Sequence, residues 1–181
     1  MKKIINSKLA IVAAALLSMT VATAVWLWPS APNAQAWDGE GDELRGVWDV
    51  TTTQTNCDTG QPVAPSFEAL ITFAADGTML ETTTNPAFAP GQRSVGEGVW
   101  KFDGHRRYFA KSKAFLNFTT PATMTPPNPG FEAGYQILSQ NIEFKEGERD
   151  RWTSAATTQF FDTAGTVYRS GCATAVAQRF E

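Results

Sequence analysis

The chain has 181 residues, 43% of them hydrophobic and 12% aromatic, and all 12 Phe lie beyond residue 36, a stock that suits one globular core and excludes a disordered chain or a multidomain machine. The first 36 residues carry three of the 15 basic side chains and none of the 18 acidic ones, so the remaining 145 hold 12 against 18, a formal charge of −6. A nucleic-acid or anionic-membrane binder would carry the opposite sign.

Lys2, Lys3 and Lys8 precede an apolar run from Leu9 to Trp28, followed by Pro29 and the small-residue triplet Ala34-Gln35-Ala36. This is the layout of an export signal over 1–36, cleaved after Ala36. The run is also long enough to span a bilayer as a retained anchor, and in both cases the positive-inside rule puts the rest of the chain outside the cytoplasm. The expected location is therefore periplasmic or secreted, with no membrane contact once the signal is removed. The acidic, glycine-bearing stretch 37–43 reads as a solvated linker and 44–181 as the folded domain.

From Leu44 onward the chain alternates short segments rich in Val, Thr, Phe and Trp with clusters of Gly, Pro, Asp and Asn, an all-β pattern. Eight strands are predicted, at about 45–56, 67–74, 78–84, 95–102, 105–118, 133–145, 150–161 and 166–179. Asp76-Gly77, Asp103-Gly104, Glu146-Gly147 and the stretch from Asp162 to Gly165 are tight-turn signals, which makes an up-and-down meander. The longer connections are proline-rich, at 61–65, 85–92 and 119–130, and follow the first, third and fifth strands, so they belong at one end. Alternation turns Phe67, Ala69, Ile71 and Phe73 inward, and likewise Gly96, Gly98, Trp100 and Phe102. The fifth strand has aromatics on both faces, which leaves room for a bulge. A meander this apolar removes its edges most simply by closing into an eight-stranded antiparallel barrel.

Export also decides how Cys57 and Cys172 are read: an even count in an oxidising compartment points to a disulfide. In a closed meander the first and last strands pair antiparallel, so facing residues have a constant sum of positions. Cys57 with Cys172 gives 229 and Trp48 with Arg179 gives 227, compatible with one register. The disulfide then staples one end of the closing seam, and Arg179 stacks on Trp48 toward the other.

Gly46-Val47-Trp48 on the first strand and Arg179 on the last resemble the Gly-x-Trp and closing arginine of lipocalin and calycin barrels. The repeat Gly98-Val99-Trp100 and the ending Gly171-Cys172-Ala173-Thr174 with Arg179-Phe180-Glu181 are similar to exported bacterial lipocalin-like proteins of unassigned function. The resemblance implies a barrel whose mouth takes small apolar molecules, and it brings no catalytic residues. The expected ligand-binding residues are the aromatics Phe73, Trp100, Phe102, Tyr108 and Tyr135, although for any one of them core packing is the plainer reading.

Signals for chemistry are sparse. A Ser-His-Asp arrangement rests on the single His105, beside a turn and next to Arg106 and Arg107, and a solvent-facing role is the plainer reading. Ser94 lies in neither a nucleophile elbow nor a phosphate loop. Two cysteines and one histidine do not make a zinc site, and no cofactor is expected. Glu81, Glu97, Glu132 and Glu143 lie on or near strands; one pointing into an apolar lumen would serve as an anchor or proton carrier, and Glu97 is the one singled out, although alternation turns it outward. The basic run His105 to Lys113 reads as a solvated face or as an anion receiver.

Three functions stay open. The leading one is binding of a small hydrophobic ligand in the lumen, without catalysis. The second is an isomerase or cyclase of the allene-oxide-cyclase-like barrel type, which a buried, unpaired lumen carboxylate would favour. The third is a structural or interaction module with a filled barrel, marked by the lack of any cavity larger than a few waters.

Overall fold

The computed structural model describes residues 41–118 and 133–180. The segment 1–36 expected as an export signal, most of the expected linker 37–43, Glu132 and the proline-rich stretch 119–130 lie outside the described residues. Within them the protein is a closed antiparallel barrel of β1 (Gly46–Thr55), β2 (Phe67–Phe73), β3 (Thr78–Thr83), β4 (Gly96–Phe102), β5 (Arg107–Leu116), β6 (Gly134–Glu143), β7 (Arg151–Phe161) and β8 (Val167–Arg179), each paired with its sequence neighbour and β8 with β1. The expected meander and closure are both present, with strand ends within two residues or so of the alternation pattern.

Closure leaves no free edge, and the register follows the sum of 227 given by Trp48 with Arg179; it sets Thr55 opposite Cys172, so Cys57 lies two residues past its ladder partner, beyond the end of β1. Inward residues alternate along every strand, including Trp48 and Val50 on β1 and Ala69, Ile71 and Phe73 on β2. The fifth strand is regular after all: Tyr108, Ala110, Ala114 and Leu116 are buried, while Phe109 and Phe115 face outward under the Lys101 and Lys113 ammonium groups, 5.7 and 5.0 Å from the ring centres. The bulge falls instead between Phe160 and Phe161 in the β7–β8 ladder.

The two ends of the barrel differ. At one end the connections β2–β3, β4–β5 and β6–β7 are tight. Asp76 shows how its turn holds: its carboxylate accepts the Thr78 N–H at 2.9 Å and the Thr78 hydroxyl at 2.6 Å, which pulls its pKa below the ordinary value. The β4–β5 turn carries His105 and Arg106 at φ of 51° and 61°, a left-handed conformation that non-glycine residues seldom adopt. Arg106 holds it by donating to Glu43 at 3.1 Å and to the Glu148 carbonyl.

The same end is plugged by a short 3-10 turn, Asp42–Leu44, whose Leu44 is fully buried and whose carbonyl accepts the Trp48 indole N–H at 2.7 Å. Arg179 seals it. Its guanidinium carbon lies 4.3 Å from the Trp48 ring centre, and its nitrogens donate to the carbonyls of Arg45 at 2.7 Å and Glu43 at 2.8 Å and to Asp150 at 2.9 Å. Gly46 has φ +117°, and a Cβ there would sit 2.9 Å from the Arg179 guanidinium, so the glycine of Gly46-Val47-Trp48 makes room for the arginine.

Candidate functional site

Side-chain size along the inward rows decides where the barrel is solid. The half nearest the plug is filled by Trp48, Phe73, Tyr108, Phe144 and Trp152, with ring centres of adjacent pairs 5.7 to 6.4 Å apart. On β7 the inward series then runs Ser154, Ala156, Thr158 before Phe160, and on β8 it shrinks from Ala177 and Ala175 to Ala173 and Gly171. These small residues leave a cavity of about 440 Å³ in the other half, open toward the β1–β2 and β3–β4 connections and the disulfide.

The five aromatics expected at a ligand site are not among the residues that line this cavity. Phe73, Trp100, Phe102 and Tyr108 belong to the solid half: Trp100 lies 6.0 Å from Phe73 and 5.9 Å from Tyr108, and Phe102 lies 5.2 Å from Tyr108. Burial pushes the Tyr108 phenol up to about 12, helped by the nearby Glu43 carboxylate. Tyr135 stands on the outer wall, stacked on Phe161 at 4.6 Å with the Lys113 ammonium 4.0 Å from its ring centre. Large flat side chains pack against one another and fill space, and the space is left where the rows hold Ala, Ser and Thr.

Apolar surface from Val50, Phe67, Ile71, Leu138 and Phe160 forms much of the cavity wall. Set into it is a polar chain that spans several elements. Glu81 on β3 is 6% exposed; one guanidinium nitrogen of Arg93 bridges its two carboxylate oxygens at 3.1 Å each, and the Ser112 hydroxyl donates to it at 3.1 Å. Arg93 Nε donates to Gln136 Oε1 at 2.6 Å, and Gln136 Nε2 donates to Thr158 at 2.8 Å. Gly96 faces Glu81 across the ladder, and a Cβ there would come within 2.9 Å of the carboxylate, so the glycine opens the space that the ion pair fills. A buried pair of this kind is tolerated when its remaining polar atoms are also satisfied, as they are here.

At the rim, the Arg169 guanidinium covers the Phe160 ring at 3.9 Å, with Phe88 6.3 Å away across the opening. Cys57 and Cys172 also line the rim and are joined in a disulfide, with Cα atoms 5.2 Å apart. It ties the loop after β1 to β8 where the seam reaches the mouth.

Glu97 and Glu143 are exposed on the outer face, and His105 is exposed on its turn. The basic run does not converge on one point, since Arg106 is taken up by Glu43 while Lys111 and Lys113 project outward from β5. The lumen carboxylate is Glu81, whose signal in the sequence was its shared parity with the apolar Met79 on β3. Gln136 and Gln140 carry the same signal, sharing a face with Leu138 and Ile142. Among the described residues no three His, Cys, Asp or Glu side chains gather as metal ligands. Scanned against protein-family models and compared with curated proteins, the sequence gives no match.

Proposed function

We propose that the protein is an exported, lipocalin-like barrel that carries a small, largely apolar ligand in its lumen. The observation behind this reading is the 440 Å³ cavity, open at one end and closed at the other by an aromatic floor. Its size falls within the range of small-molecule sites, roughly 300 to 1,000 Å³, and its mainly apolar wall with a few placed polar groups is their usual character. The Gly46-Val47-Trp48 and Arg179 arrangement at the floor supports the lipocalin-like assignment. Glu81 is committed to Arg93 and Ser112, so the free carboxylate that proton transfer would use is missing among the described lumen residues, and binding is favoured over catalysis.

The test is native mass spectrometry of the protein from an exporting host, then organic extraction and identification of what is released. A retained apolar adduct that disappears in Ala156→Trp, which fills the lumen from β7, is the expected result. A clean mass that stays clean after incubation with a lipid and terpenoid panel overturns the reading.

A further inference from the structure

Two buried donors inside the barrel meet no acceptor among the described residues, the Trp152 indole N–H in the solid half and the Gln140 amide, and of the two only Gln140 lines the cavity. Gln140, on β6 at the base of the cavity, is 4% exposed; its Oε1 accepts from the Ser154 hydroxyl at 3.4 Å, and its Nε2 meets no acceptor among the described residues. Its cross-strand neighbours are Ala110 and Ala156, which give the long side chain room and offer it no polar atom. A buried amide donor without an acceptor bears the whole cost of leaving water, so a residue kept in this state at the base of an open cavity is suited to a partner that arrives with the ligand.

We propose that Gln140 is the polar anchor of the lumen ligand, donating from its side-chain amide to a carbonyl oxygen at the inner end of an otherwise apolar molecule. The proposal rests on the reading of the lumen as a ligand site. The terminal torsion of a glutamine is broad, so a modest turn carries the amide hydrogens from their covered position toward the cavity. The ligand class follows from the charge inventory. The lumen carboxylate is already held by Arg93, the Arg169 guanidinium stands exposed at the rim over Phe160, and the buried donor left over at the inner end is an uncharged amide, so its complement there is a neutral acceptor such as a ketone or ester.

The experiment uses the full chain from an exporting host and the neutral apolar dye N-phenyl-1-naphthylamine, displaced by 2-acetylnaphthalene or by 2-ethylnaphthalene. The two competitors differ only in a carbonyl against a methylene. Replacing Gln140 by Leu removes the donor at similar volume, and it should weaken the ketone relative to the hydrocarbon by about tenfold while both still displace the dye. An unchanged ratio overturns the anchor and leaves the lumen reading standing. Failure of the dye and of both naphthalenes to bind the unmodified protein overturns both. A measurement that needs no variant runs alongside: the carbonyl stretch of bound 2-acetylnaphthalene should lie below its position in hexane, and an unshifted band overturns the anchor even if Gln140→Leu fails to fold.

Discussion

The guanidinium of Arg179 lies 4.3 Å from the Trp48 ring centre while facing Trp48 across the β1–β8 ladder, so one residue pair closes the sheet and caps its aromatic floor. Two features of arginine are used together: the flat face against the indole, and three separate nitrogens reaching the Arg45 and Glu43 carbonyls and Asp150. Lysine keeps the charge but has neither the plane nor the fork. Arg179→Lys should therefore cost about 2 kcal/mol, read as a lowered urea midpoint with an unchanged slope.

The Glu81–Arg93 pair should behave asymmetrically. Removing one partner, as in Glu81→Leu or Arg93→Met, leaves an uncompensated buried charge and should cost about 3 to 5 kcal/mol. The double variant should recover most of that loss. A double-mutant cycle by chemical denaturation checks it, and simple addition of the two single effects would show that the pair is not coupled.

Reduction of the Cys57–Cys172 bridge frees a loop spanning a sequence separation of 115. On loop-closure entropy alone the loss is roughly 4 to 5 kcal/mol. Urea titrations with and without a reductant should show a loss of this size, and Cys57→Ser with Cys172→Ser should match the reduced protein and be insensitive to reductant.

Tyr108 makes stability fall in alkali. Its folded pKa of about 12 lies above its ordinary value of 10.0, so the folded state keeps a proton that the unfolded chain releases. Its contribution is intact below pH 10 and is lost as pH rises from 10 to 12, reaching at most about 2 kcal/mol. Stability measured from pH 8 to 12 should decline less in Tyr108→Phe than in the unmodified protein, the difference opening above pH 10.

The strands and the seam were legible in the sequence because their signals are local or additive. Alternation assigned Phe67 to Phe73 and Gly96 to Phe102 to the inside without knowledge of any neighbour, and antiparallel pairing made the partner of Trp48 a matter of adding positions. The cavity was not legible, because empty volume depends on which side chains share a layer, and no single strand carries that information. Aromatics drew attention by their size, yet Phe73, Trp100, Phe102 and Tyr108 lie where the barrel is full, and the space is bounded by Ala156, Ala173 and Ser154, which are unremarked in a sequence. Tyr135 shows a second reason: on β6 its parity is that of Ile137, and only the neighbouring rows show that this face is the outer one.

The pairing of β1 with β8 makes the barrel a ring in which the covalent break has no special place. The backbone N–H of Phe180 donates to the Val47 carbonyl at 2.9 Å, so the two strand ends lie side by side at the floor. A chain cut within the Asp76-Gly77 turn and joined by a short linker from Phe180 to Asp42 would contain the same eight ladders in a different order of synthesis. In that rearranged chain the β1–β8 seam, now the most distant pairing along the backbone, becomes a local hairpin, and β2–β3 takes over as the closure that must wait for the whole sequence.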